Sequence, residues 1–190
     1  MRAVRSRILG VQHVQSACSD HRAADRAVTR HHFDIGPPAP PWTTREWFNN
    51  SGGAALQLAD LRGKVVVLHA FQMLCPACVR HGLPQAQRIH AFFEPQDVAL
   101  IGLHTVFEHH AAMTPVSLQA FLHEYRIAFP VGVDAPSADA REPIPTTMQA
   151  YAMQGTPSLV LIDRNGRLRH HAFGAEDDLR PVVERISKPA

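Results

Sequence analysis

The chain has 190 residues, 45% of them hydrophobic and 19% charged, and 19 Lys and Arg against 17 Asp and Glu leave a formal net charge of +2. The apolar share is enough for one packed core, which excludes wholesale disorder, and the near-balanced charge excludes an electrostatic nucleic-acid surface. No apolar run approaches the ~20 residues that cross a bilayer, and three cysteines are too few for a disulfide framework, so cysteine is read as chemistry before scaffolding.

Residues 1 to 37 are expected to form a poorly ordered leader rich in Arg and His that runs into the stiff segment Gly36-Pro37-Pro38-Ala39-Pro40-Pro41; a single domain is assigned over 38 to 190, with folded structure expected to begin near Trp42. The basic start, Met1 to Arg7, is followed by only Ile8-Leu9-Gly10-Val11, too short for the apolar core of an export signal. The expected location is therefore cytoplasmic. Cys18 lies in the leader and is taken as an incidental thiol.

From Lys64 the run Val65-Val66-Val67-Leu68-His69-Ala70-Phe71 is β-branched and almost wholly apolar, as a strand buried on both faces requires. Val79, Leu83, Ala86, Ile89 and Phe93 recur at helical spacing, so 76 to 93 is read as an amphipathic helix, kinked at Gly82 and Pro84. A second buried strand follows over 97 to 104, then a helix over 116 to 125. Residues 129 to 134 are expected to form a short strand, and Pro130 and Gly132 suggest an edge position. A helix end is expected over 148 to 153. A hairpin over 158 to 173, turning at Asn165-Gly166, and a closing helix over 179 to 186 complete the pattern. Strands alternating with helices and closing on a hairpin give an α/β domain with a mixed central sheet flanked by helices.

Cys75-Pro76-Ala77-Cys78 stands where the first buried strand gives way to a helix. At a helix start, unpaired N–H groups and the helix dipole favour a thiolate, the species that attacks a disulfide. Cys78, three residues on, is placed to resolve the mixed disulfide. Cys75 is thus the expected nucleophile and Cys78 the resolver. A metal site is the alternative, since Cys75, Cys78 and His81 supply three soft ligands, but a structural zinc site takes four and no second C-x-x-C exists. Neither a metal nor an organic cofactor is therefore expected.

Asp60-Leu61-Arg62-Gly63-Lys64-Val65-Val66-Val67-Leu68, leading into Cys75-Pro76-Ala77-Cys78, resembles the TlpA/ResA-type redoxins of the thioredoxin superfamily, with a wider likeness to AhpC/TSA-like redoxins. Glu46-Trp47-Phe48-Asn49, with Leu56 and Leu58, resembles most the thioredoxin-like domains of the DipZ and NHL-repeat group. The likeness covers roughly 38 to 188. It implies a thioredoxin-like three-layer α/β/α fold and a thiol–disulfide oxidoreductase active in redox homeostasis. The implied partners are a disulfide-bearing protein or small thiol, with an upstream thiol reductant or oxidant. Many such relatives act outside the cytoplasm, which sits against the expected location.

The resemblance also implies that Pro157, in Gly155-Thr156-Pro157-Ser158, is a cis-proline facing the cysteines, with Thr156 offering backbone groups to a bound peptide. His69 falls six residues before Cys75, where thioredoxins carry a buried carboxylate that moves the resolving cysteine's proton. A neutral imidazole can accept that proton near physiological pH; a buried histidine with a satisfied hydrogen bond is the other reading. His104, Thr105 and Glu108 follow the second strand, where parallel sheets gather ligands, and His104 and Thr105 are taken as groove residues. His109 and His110 are expected in a solvated loop. Two departures from the family pattern stand out: Leu74 replaces the usual aromatic before the first cysteine, and Pro84 falls one residue late.

Two other activities remain in view. A peroxiredoxin would carry a threonine three residues before its reactive cysteine and a proline seven before it; those offsets give Gln72 and Leu68 from Cys75, and Cys75 and Phe71 from Cys78. Copper-handling proteins of this fold space their cysteines by three and add a later histidine, for which His104 or His109 would have to serve.

Overall fold

The computed structural model describes residues 29–32, 36–139, 141–174 and 178–187. In chain order the elements are β1 (Thr29–His32), β2 (Thr44–Phe48), β3 (Val65–Phe71), α1 (Leu83–Phe92), β4 (Val98–His104), α2 (Pro115–Glu124), β5 (Val131–Asp134), α3 (Thr146–Ala150), β6 (Ser158–Ile162), β7 (Leu168–Phe173) and α4 (Arg180–Ser187). They build a seven-stranded sheet in the order β1-β7-β6-β3-β4-β5-β2. Strands β3, β4 and β5 run parallel, and β6, β7, β1 and β2 each pair antiparallel with a neighbour. The fold is the expected three-layer α/β/α arrangement with a mixed sheet.

Every residue of β3 is buried, as its almost wholly apolar run requires of a strand with both faces covered. Alternate side chains enter two cores. Val65, Val67 and Phe71 pack with Cys78, Leu83, Ile89, Leu118 and Val183 from α1, α2 and α4 and the turn before α1. Val66, Leu68 and Ala70 pack on the other face with Trp42, Ile101, Met148 and Tyr151. His69 shares the parity of Val67 and Phe71, so its ring lies on the α1 face.

Helix formation begins at Pro76, but Cys78–Gly82 forms a wider π-helical turn before α1 proper. The N–H of Leu83 reaches back five residues to the carbonyl of Cys78. Pro84 has no N–H to give and its ring would press on the carbonyl four residues back, which the wider turn relieves. The expected kink at Gly82 and Pro84 thus takes the form of one extra residue in a turn. The same turn accounts for the late position of Pro84.

The expectation of an edge position for 129 to 134 is corrected. β5 lies between β4 and β2, with Trp47 opposite Gly132 and Phe48 opposite Val131. Pro130 sits outside the strand, and Gly132 permits the close pairing: a Cβ there would come within 2.8 Å of the Thr44 side chain and 3.1 Å of the Trp47 ring. The edge strand is β2, which the sequence reading used only for its resemblance.

At the opposite edge, β1 pairs with β7 from within the stretch read as a leader, Thr29 opposite Phe173 and His32 opposite His170. The Pro-rich segment is also seated: Ala39 N–H donates to the Gly166 carbonyl at 2.9 Å, Leu168 N–H donates to that of Pro37 at 3.0 Å, and Tyr151 Oη donates to that of Pro40 at 2.6 Å. Regular contacts of the domain therefore begin before Trp42. Cys18 lies outside the described residues.

Candidate active site

Strand β3 ends at Phe71, and the four residues to Cys75 form a tight turn closed by the Cys75 N–H donating to the Gln72 carbonyl at 3.2 Å. That turn lifts Cys75 to the helix start. Its Sγ accepts a hydrogen bond from the Cys78 N–H at 3.3 Å and lies 3.5 Å from the carbonyl oxygen of Thr156. Cys75 is half-buried, Cys78 buried, and both are free thiols.

The two sulfurs are driven apart electrostatically. The Cys78 thiol hydrogen-bonds to Cys75 and, helped by the N–H groups of Cys78 and Ala77 and by the Thr156 side chain, lowers the Cys75 pKa to about 6 against a smaller push from burial. Donating to Cys75, and being buried, Cys78 is itself held far above the ordinary thiol range. At neutral pH the pair is one thiolate and one thiol. The thiolate is the exposed member, as a nucleophile must be.

The peptide bond between Thr156 and Pro157 is cis, as the resemblance implied, and it faces the cysteines through the Thr156 carbonyl. Gly82 lies against this loop. A Cβ at Gly82 would come within 3.0 Å of the Pro157 ring and 2.7 Å of the His69 ring, so the turn that carries Cys78 closes over both only because residue 82 lacks a side chain.

His69 is 1% exposed and neither ring nitrogen has a hydrogen-bond partner. The satisfied-histidine reading therefore does not describe it. Burial pulls its pKa down to about 4, so the ring is a neutral, unoccupied acceptor at physiological pH. It lies near-parallel to Phe71, centroids 5.9 Å apart, beneath the helix face that carries Cys78 and Gly82.

The groove role expected for His104 and Thr105 needs correcting. His104 is 1% exposed and packs its ring on Phe71, centroids 5.4 Å apart. Burial, with the nearby Arg45 charge, lowers its pKa to about 4. Thr105 is fully buried, and its hydroxyl donates to Asp134 Oδ2 at 3.0 Å. Neither side chain is open to a bound peptide. Glu108, His109 and His110 are exposed, and among the described residues no three His, Cys, Asp or Glu side chains cluster to hold a metal ion.

Sequence reasoning missed Gln72, counted only as a mismatch to the peroxiredoxin pattern. It is 1% exposed; its Oε1 accepts from the Phe107 N–H at 3.3 Å and its Nε2 donates to Glu108 Oε1 at 3.4 Å. A polar residue directly after a strand that is apolar but for His69 was the available signal. Leu74, beside Cys75, is 53% exposed and sets an apolar side chain at the rim.

A mixed sheet presenting a thiolate–thiol pair at a helix start, opposite a cis-proline, defines a thioredoxin-like dithiol protein. The chain belongs to the AhpC/TSA family, whose pattern matches residues 35–171. Among solved structures it is similar to a thioredoxin-like superfamily protein, at 55% identity over 80% of this chain and 97% of that one, with a TM-score of 0.76. A thiol-disulfide isomerase from Corynebacterium glutamicum matches at 46% identity over 83% of this chain and all of that one, also at 0.76. The thiol-disulfide oxidoreductase ResA of Halalkalibacterium halodurans is 23% identical over 72% of this chain and 70% of its own length. Protein DipZ of Mycobacterium bovis is 28% identical over 69% of this chain, which spans only 17% of that protein. The chain is an oxidoreductase of the redoxin type. No helix among the described residues is long and apolar enough to cross a membrane.

Proposed function

We propose that this protein exchanges its Cys75–Cys78 dithiol for a disulfide in a protein or small-molecule substrate, contributing to redox homeostasis. The observation that carries the reading is the asymmetric pair: a half-exposed Cys75 held near pKa 6 by a buried Cys78 that keeps its proton.

In the reducing direction the Cys75 thiolate attacks one sulfur of the substrate disulfide; the new bond joins Cys75 to that sulfur, and the departing sulfur takes up a proton. Thr156 and the cis-Pro157 loop lie beside Cys75, where the substrate backbone would run. Cys78 then passes its proton to the His69 ring and attacks the Cys75 sulfur, forming the intramolecular disulfide and expelling the second substrate sulfur as a thiolate, which takes up a proton as the imidazolium returns to neutral. Burial disfavours a lone imidazolium and a lone Cys78 thiolate, but the two arising together offset each other's charge. An external dithiol restores the pair by the reverse exchange. In a reducing cytoplasm, the location expected from the sequence, the dithiol is the resting form; in an oxidising compartment it is the disulfide.

The test is a redox titration against glutathione. The expected result is one reversible two-electron couple, absent in both Cys75→Ser and Cys78→Ser, lying toward about −270 mV for a reductant or toward about −120 mV for an oxidant. Absence of a couple, or catalytic peroxide consumption that survives in Cys78→Ser, sinks the dithiol reading.

A further inference from the structure

Between the end of β3 and the cysteines, Gln72 is tied to its surroundings through all four of its polar groups. Its carbonyl accepts the Cys75 N–H at 3.2 Å, and its N–H is directed to the Cys78 sulfur, where it favours the thiolate. Its side chain bridges to the loop after β4, accepting from the Phe107 N–H at 3.3 Å and donating to Glu108 at 3.4 Å. The main chain thus sets both sulfurs while the side chain anchors that main chain to a neighbouring strand end. A buried amide holding a loop N–H and a carboxylate is a stiff strut, because releasing either end leaves an unpaired buried group.

We infer that Gln72 is a positioning residue for the exchange reaction: its side-chain bridge to Phe107 and Glu108 holds the 72–75 turn in the geometry that keeps Cys75 a thiolate. The inference rests on the dithiol reading for its purpose, though its effect is read from the Cys75 titration without any substrate. The Cys78 N–H donates to the Cys75 sulfur at 3.3 Å, so moving the turn that sets this sulfur weakens the bond. The groups acting on Cys75 are Cys78 and the Ala77 main chain on its own turn and Thr156 across the site. His69 is neutral beneath the helix, and Glu108 bears on Cys75 through Gln72. Thiolate stability at Cys75 therefore depends on where the turn holds its neighbours, not on a nearby cation.

The experiment is a pH titration of the Cys75 thiolate by its ultraviolet absorbance in the reduced full-length protein, comparing the parent with Gln72→Ala, Gln72→Glu and the exchanged pair Gln72→Glu/Glu108→Gln. In Gln72→Glu two carboxylates meet where a donor met an acceptor. The exchanged pair restores the donor from the other side while keeping an oxygen for the Phe107 N–H. The expected result is a Cys75 midpoint raised by about one pH unit in Gln72→Ala and Gln72→Glu, a tenfold loss of thiolate below the midpoint, and recovery in the exchanged pair. An unmoved midpoint in a folded single variant, or an exchanged pair that stays with Gln72→Glu, overturns the inference. If Gln72→Ala does not fold, the Gln72→Glu comparison decides alone. Because the titration involves no substrate, failure of the exchange reaction in the parent protein would count against the function and leave this result standing.

Discussion

The ends of β3 and β4 are adjacent in one parallel pair, Phe71 lying opposite His104, yet only one is reactive. Beyond Phe71 the chain turns outward through Gln72 and presents a half-exposed thiol at the start of a helix. Beyond His104 it turns into the core, where Thr105 hydrogen-bonds to Asp134 at the end of β5. Asp134 also accepts from the N–H groups of Thr147 at 2.9 Å and Met148 at 3.0 Å, capping the first turn of α3. Both strands offer polar residues at the same end of the sheet. The helix start that follows turns one into a reaction centre, and the acceptor that meets the other makes it a structural joint.

If that division is sound, the joint can be damaged without touching the thiolate. Asp134→Ala should have the largest effect, leaving two buried N–H groups and the Thr105 hydroxyl without their acceptor. A loss of about 3 kcal/mol of folding stability is expected by urea denaturation, with the Cys75 titration midpoint unchanged. A shifted midpoint in the folded variant would mean that the two ends are coupled.

The second way to sharpen the comparison uses pH. His69 and His104 have native pKa values near 4 against an unfolded value near 6.5, so between these limits the unfolded chain binds more protons. Stability is therefore full above about pH 6.5 and falls as pH drops towards 4, by on the order of 3 kcal/mol for each ring. His104→Leu should remove about half of that fall, read as the difference in urea stability between pH 4.5 and pH 7, while leaving disulfide exchange at pH 7 near the parent rate. A large loss of exchange would return His104 to the groove.

Much of this was legible in the sequence because the central elements are long and periodic. The apolar run of β3, the helical spacing after Cys78 and the β6–β7 hairpin each carry a pattern that local geometry enforces, and the cysteines stand where the first buried strand gives way to a helix. The outer strands were not legible in the same way. β1 and β2 are four and five residues, Thr-Arg-His-His and Thr-Arg-Glu-Trp-Phe, too short and polar to show a period, and they form by pairing with chain far away in sequence. The burial of Thr105 depends on an acceptor 29 residues on, and the bridge from Gln72 to Glu108 spans 36, so neither leaves a local trace. Nor does a π-turn announce itself, although a proline one residue late was its mark.

The central claim is that Cys75 attacks and Cys78 resolves, and trapping tests it most directly. Reduced Cys78→Ser and Cys75→Ser variants would be incubated with a disulfide substrate at pH 7, quenched in acid and mapped by peptide mass. The account predicts a stable mixed disulfide on Cys75 in Cys78→Ser and almost none on Cys78 in Cys75→Ser, where that thiol is buried and protonated. Adducts forming equally on both cysteines, or on Cys78 alone, would contradict it.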